Sequence, residues 1–451
     1  MTSTIETGSP PVPRKRHVDI LIVALFSLAL RGVLFYLHCR EYRLSGGDAI
    51  TAFGGSDVPG WLGMARHLNQ VGDLSYWLMG ARPPLFPATV ALVLRLGGSP
   101  VHAALLQTLF GVVTPVLGYL LALRLFSHSE RVTNPQRFAL FAGIVMAVDP
   151  ASVSASAVLL SEPLFNLLFT ACILHLAIFI QESRWGHLAF AALWMALAMI
   201  TRPSAIYFWA AAPLILIPLV KKWWRPALVL MVVGLGVYLG WSARNLRYEG
   251  TFTYSTQTNF SLLFLRAASA EHLATGVPTE DIYVAYVREL YREVGDEQAA
   301  AKVEAEDAWH FLVAGSPEMY AAMGRLAREK LIDYWPSAIA GTVPGAWRLL
   351  FVTYALPDWF RPVEIGYHVV LYGLMLFGLW RSFRNRDWPV FLIAGVPVTY
   401  IVGLTLVAQT SAMDTRMRTP ASVPIIILAA YGASMAASAI RNRRRNAAET
   451  G

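Results

Sequence analysis

Charge and cysteine are what this 451-residue chain has least of. Only 15% of its residues are charged, and its two cysteines are Cys39 and Cys172. A soluble globular chain would carry roughly a quarter charged residues. Two cysteines cannot build a disulfide framework, and these lie at the end of one apolar run and inside another. No Cys/His cluster has the spacing of a zinc site. No internal repeat marks the chain as a solenoid or a repeat-built transporter. The net charge of +8 does not indicate a nucleic-acid partner. The basic residues gather in short clusters between apolar runs, which is how membrane proteins encode orientation.

What fills the chain is apolar: 56% of residues are hydrophobic. Runs of about 18 residues or more recur, each long enough to cross a hydrocarbon core of about 30 Å. The expected fold class is an all-α polytopic membrane protein of about ten transmembrane helices. The runs fall at 18–38, 100–126, 138–157, 163–181, 187–201, 203–220, 226–243, 363–380, 389–407 and 421–440. Residues 1–17 read as a disordered tail, and no signal-peptide cleavage pattern follows the first run, which is therefore expected to remain as a helix. The basic groups Arg14–Arg16, Lys221/Lys222/Arg225, Arg381/Arg384/Arg386 and Arg441/Arg443/Arg444/Arg445 belong on the cytoplasmic side. That places both termini, including the basic tail 441–451, in the cytoplasm, with the protein in a bacterial inner membrane.

Counting crossings between those groups leaves over one segment, Pro83 to Leu96. Its apolar part of about 14 residues reaches only about 21 Å as a helix, so it reads as a re-entrant or interfacial helix. The alternative, a different number of short crossings between Leu85 and Phe126, stays open. The map divides the chain into a membrane module at 18–243 with an outer loop at 39–99, an outer segment at 244–362 and further spans at 363–440. The outer segment opens with turn- and strand-like residues (YEGTFTYSTQTNF). It continues as amphipathic helix from about 279 to 334 and returns through YWPSAIAGTVPGAW.

Loop 39–99 is too polar and glycine-rich to be a mere connector. It holds Asp48, Asp57, His67, Asp73 and Arg82, with Trp61, Tyr76 and Trp77 between them. A carboxylate at the rim of a membrane cavity can act as a general base on a hydroxyl. Arginine suits a phosphate through its permanent charge and forked donors, and aromatic faces suit a sugar ring. Plainer roles fit many of these residues. Asp57, just ahead of Pro59 and a helical pattern, also reads as an N-cap, as does Glu162 before Pro163. Arg82, Arg244 and Arg418 also read as flanking or snorkelling charges. Arg202 interrupts two apolar runs, where charge is costly and usually functional. Asp149 sits inside a run before Pro150, either as a functional carboxylate or as a partner for backbone freed by the proline. Arg31 lies within the first run, facing inward or snorkelling. Asp48, His67 and Asp73 read as loop structure.

Five segments, taken in order, resemble a known family. Asp57-Val-Pro-Gly-Trp61-Leu-Gly-Met-Ala65, Gly72-Asp73 and Arg82-Pro83-Pro84-Leu85-Phe86-Pro87 look like the first outer loop of the GT-C glycosyltransferases. That superfamily includes the protein O-mannosyltransferases and the lipid A aminoarabinosyl transferase. Leu160-Ser161-Glu162-Pro163 resembles its second acidic motif, and Thr201-Arg202-Pro203 its helix-hairpin arginine. Trp241-Ser-Ala-Arg244-Asn245 resembles its span-to-loop junction, and Arg416-Met-Arg418-Thr-Pro420 the start of its last spans. Two departures are Trp61, where the family often has tyrosine, and the lack of a large C-terminal soluble domain.

The resemblance implies a GT-C fold with interfacial helices in the first outer loop and sugar transfer at the outer face with inversion. The donor would be a polyprenyl-phosphate-linked sugar and the acceptor a glycan, lipid or protein. Asp57 and Glu162 would be catalytic, with Arg82, Arg202 and Arg244 on the donor phosphate and Asp149, Trp61 and Arg418 as secondary candidates. No cofactor is expected; a divalent cation between Asp57 and Glu162 is conceivable, but no spacing demands it. The rivals are a transporter or flippase of lipid-linked sugars and a surface-polysaccharide ligase or polymerase.

The orientation is checked by single cysteines in intact spheroplasts treated with a membrane-impermeant thiol reagent. Cysteines near 130, 223 and 384 are expected to stay unlabelled, and those near 57, 162, 300 and 412 to react where exposed. Labelling at 223 without permeabilisation would reverse the orientation.

Overall fold

The computed structural model describes residues 16–54, 57–73, 75, 82–303, 316–353, 356–408 and 415–450. Most of the tail at 1–17, together with Tyr76 and Trp77, lies outside the described residues. The described chain is helical, with no strand among its residues. Seven helices are long and apolar enough to cross a membrane: Arg16–Leu44, Pro100–Ser127, Glu162–Glu182, Trp224–Glu249, Asp358–Arg384, Trp388–Ala408 and Thr415–Glu449. The protein is thus a multi-pass membrane protein.

The other three expected spans take different forms. The run at 138–157 is not one straight helix but two, Pro135–Val148 and Pro150–Ser156, bent by 52°. Pro150 has no N–H to continue the first helix. Asp149 starts the second, its carboxylate accepting from Ser152 N at 3.1 Å and Ser152 Oγ at 2.7 Å. The runs at 187–201 and 203–220 form Trp185–Met199 followed by three short pieces, Pro203–Ala205, Phe208–Ala211 and Pro213–Leu219. Fifteen residues of straight helix reach only about 22 Å, and the second run is a broken helix of similar length, Pro203–Leu219. The leftover segment forms Leu85–Arg95, shorter still. It buries Phe86, Val90 and Ala91 and is tied by Leu85 N to Ile200 O at 2.9 Å and by Asn69 Nδ2 to Ala91 O at 2.9 Å. Loop 39–99 also carries the helices Ala49–Phe53 and Val58–Gln70.

The turn- and strand-like stretch after residue 247 forms no strand. The helix runs on to Glu249 and stops at Gly250, whose φ of +70° is the left-handed conformation that glycine adopts freely. Beyond it, Thr279–Glu293 and Pro317–Asp333 bury a core of their own, including Phe264, Ile282, Tyr286, Leu290 and Leu326. Arg266 joins this part to the spans, donating to Leu406 O at 2.6 Å. The return segment folds as Trp335–Ala340 and Thr342–Phe351.

Within lipid there is no hydrophobic drive between helices, so close backbone approach has to supply dispersion contacts. Where Asp358–Arg384 crosses the last helix, Gly378 and Gly432 meet. A Cβ on Gly378 would lie 2.0 Å from Leu428 O, and one on Gly432 2.2 Å from Leu374 O. These obstacles are backbone atoms that cannot rotate away. Gly378→Ala is expected to lower thermal stability by about 1–3 kcal/mol through overpacking. Gly373→Ala on the same helix, with nothing within 4 Å, should leave it unchanged. Detergent-solubilised unfolding curves of the two variants check this.

Candidate active site

Pro59 in the first turn of Val58–Gln70 fixes where that helix begins, and Asp57 stands just before it with φ −81° and ψ −25°. The N-cap reading of Asp57 fails, because its carboxylate makes no capping bond. It turns instead to two arginines, Arg82 Nη2 at 2.7 Å and Arg416 Nη1 at 3.5 Å. Arg82 comes from the turn before Leu85–Arg95, and its guanidinium carbon lies 4.5 Å from the Trp61 ring centroid. That is the geometry of a cation–π contact. Trp61 is held by Phe86, edge to face at 4.9 Å. Trp61 therefore orients an arginine.

Glu162 opens the helix Glu162–Glu182 and is only 2% exposed. Its Oε2 lies 2.7 Å from Arg202 Nη1 and its Oε1 3.3 Å from Arg416 Nε. Arg202 also donates to Ser161 Oγ at 3.0 Å. The residue before a proline is pushed out of the helical region. Arg202, before Pro203, is accordingly extended at φ −146° and ψ 140°, which aims its side chain back across the hairpin at Glu162. Two carboxylates and three guanidinium groups thus meet at one end of the bundle, leaving one net positive charge. Burial alone would raise the Asp57 carboxyl, but Arg82 and Arg416, with a contribution from Arg202, hold it below the ordinary carboxylate value.

Arg416 is the member that sequence reasoning missed. Its motif offered two arginines, and Arg418 was the one selected. Positions two apart on a helix point about 200° away from each other, so one of the pair must face elsewhere. Arg418 does, and it is fully buried. It bonds to Ser422 Oγ at 3.0 Å and to His368 Nε2, and lies 3.8 Å from Asp149 Oδ1. Asp149 also accepts from Tyr367 OH at 3.1 Å and Ser422 Oγ at 3.2 Å. These two secondary candidates therefore form a second buried cluster.

Arg244 is placed at the end of its own helix, 2.8 Å from Glu249 and packed on Trp241 and Tyr248. Arg31 faces inward, donating to Ser27 Oγ at 2.9 Å and Ala147 O at 2.8 Å. Asp48 caps Ala49–Phe53, and Asp73 accepts from Ser75 with His67 at 3.2 Å. Among the described residues no group of three His, Cys, Asp or Glu side chains is placed to hold a metal ion. Asp57 and Glu162 are occupied by guanidinium groups, a lining suited to an anion.

With this geometry in view, two known structures are similar to the chain. The oligosaccharyltransferase of Archaeoglobus fulgidus in its apo form matches with a TM-score of 0.56 at 14% identity, over 96% of this chain and 52% of that one. The oligosaccharyltransferase AglB of the same organism, in complex with an inhibitory peptide and a dolichol-phosphate, matches with a TM-score of 0.52 at 13% identity, over 95% and 51%. The chain spans about half the length of these proteins. The fold is that of the membrane part of these oligosaccharyltransferases. Residues 81–242 match the family of dolichyl-phosphate-mannose-protein mannosyltransferases, a stretch that contains Arg82, Glu162 and Arg202. No curated protein matches by sequence.

Removing one partner of a buried ion pair leaves an uncompensated charge, at a cost of about 3–5 kcal/mol. Arg202→Met is expected to destabilise by about 3 kcal/mol, the low end of that range, since Arg416 still faces Glu162. Adding Glu162→Gln should recover most of the loss. Thermal unfolding of the single and double variants checks both values.

Proposed function

We propose that this chain is a membrane glycosyltransferase. It transfers a sugar from a polyprenyl-phosphate-linked donor to an acceptor hydroxyl at the outer face of the membrane, inverting the anomeric carbon. One observation carries this reading: Arg82, Arg202 and Arg416, from three distant parts of the chain, converge on Asp57 and Glu162. The fold supports it, as does the dolichol-phosphate in complex with the archaeal protein.

The donor phosphate binds the arginines, whose planar forks match its oxygens. As it takes up Arg82 and Arg416, the Asp57 carboxylate loses the partners that hold its basicity down. The acceptor oxygen attacks the anomeric carbon from the face opposite the phosphate, and its proton passes to Asp57. The bond from anomeric carbon to phosphate oxygen breaks, and polyprenyl phosphate departs with the electron pair. The arginines stabilise that developing charge. Glu162, enclosed at the floor of the cluster, holds Arg202 and Arg416 in place.

The rival reading as a transporter has one observation in its favour, the helix break at Asp149 with a buried ion pair beside it, as in helices interrupted at transport sites. Against it, Asp149 is already bonded by Ser152, Tyr367 and Ser422.

Sugar transfer from purified lipid donor in nanodiscs tests the proposal. Asp57→Asn is expected to lower the rate by about 10²–10⁴ while donor binding is retained. Arg82→Ala and Arg202→Ala should weaken donor binding, with Arg202→Lys intermediate because lysine keeps the charge and loses the fork. Wild-type turnover in Asp57→Asn would remove it as the base. Wild-type donor binding in both arginine variants would end the phosphate-clamp reading.

A further inference from the structure

The proposed reaction gives no task to Asp149 and Arg418, yet both are fully enclosed and charged. Desolvating two ions is costly, and an apolar pair of the same volume would serve stability as well or better. Something other than stability has to account for the pair, and the last helix indicates what. Its first turn carries Arg416 toward Asp57 and Glu162 and Arg418 toward Asp149 and His368, in opposed directions. The rotation of the helix about its own axis therefore sets both contacts at once.

The partners of Arg418 are themselves fixed. Asp149 is held by Ser152 at the helix break and by Tyr367 from the span Asp358–Arg384. Ser422, one turn along the last helix, bonds to both Arg418 and Asp149. The start of the helix is tied as well: Thr415 N donates to Val352 O at 2.9 Å, and the Thr415 hydroxyl meets that of Thr353, which donates to Glu364. By contrast, Arg416 is 30% exposed on a long side chain and needs its backbone held if it is to bridge two carboxylates.

We propose that the Asp149–Arg418 pair is a positioning device, locking the rotation of the last helix so that Arg416 reaches Asp57 and Glu162. This rests on the reading of Arg416 as part of the donor-phosphate site. Asp149, Arg418, Tyr367 and Ser422 are positioning residues, acting on donor through Arg416.

The test is a double-mutant cycle on the full chain in nanodiscs, reading affinity for undecaprenyl phosphate. Coupled residues fail to add, whereas independent ones add. Asp149→Asn alone is expected to weaken binding about tenfold, and Tyr367→Phe, which removes one bond to Asp149, by a smaller factor. In an Arg416→Ala background both are expected to lose almost all further effect, about twofold or less. A merely structural role would instead lower affinity by the same factor in both backgrounds, and that result overturns the proposal. So does wild-type affinity in Asp149→Asn and Tyr367→Phe. If Asp149→Asn does not fold, the Tyr367→Phe cycle decides alone. Wild-type affinity in Arg416→Ala itself would overturn the donor-site reading and this inference with it. Loss in Arg416→Ala with additive behaviour overturns the inference only.

Discussion

A carboxylate enclosed by apolar helices must be matched by cations, and the arrangement at Glu162 follows from that requirement. At 2% exposure it has almost no water to solvate it, so Arg202 and Arg416 do so. Arg416 then reaches on to Asp57, 359 residues away in sequence. One side chain thus joins the first loop, the start of Glu162–Glu182 and the last helix. With the hairpin arginine and Arg82 added, the cluster carries more cation than anion. An excess of positive charge with only partial access to water suits an anionic group presented from the membrane side. The chemistry proposed above is an extension of the same electrostatics that close this end of the bundle.

The apolar part of the chain serves to hold those charges at fixed separations. Prolines set where several elements begin, at Pro59, Pro150, Pro163 and Pro203. In each case the residue just before the proline, or within two positions of it, is one whose charge the site or the second cluster uses. Proline removes a donor and restricts its predecessor, so Asp149 and Arg202 leave the helical conformation and point along or across the bundle. The glycine crossing at Gly378 and Gly432 brings the span Asp358–Arg384 against the last helix. That contact places Tyr367 and His368 beside Asp149 and Arg418.

Much of this was legible in the residues. Long apolar runs with basic clusters between them define a polytopic helical protein, because lipid offers no partner for unpaired backbone. The shortness of Pro83–Leu96 was enough to doubt that it crosses, and it is an 11-residue helix. Arg202 was recognisable as a charge where charge is costly, and Asp57, Arg82 and Glu162 by the motifs around them. The break at Asp149 and Pro150 was written in the proline but read as part of one span. The turn- and strand-like composition after residue 247 corresponds to the helix end at Gly250 and the irregular stretch before Gln257.

Which arginine of Arg416-Met-Arg418 would enter the site was beyond the sequence. Both carry the same charge, both begin the same helix, and only the rotation of that helix against its neighbours separates them. That rotation is set by partners from three other segments, Asp149, His368 and Thr353. The local sequence determined, through hydrophobicity and proline, that helices would form, roughly where they would end and which charges would be expensive. Tertiary structure alone decided which of those charges meet, because a salt bridge between residues hundreds of positions apart depends on helix rotation and crossing, and neither is encoded within any one segment.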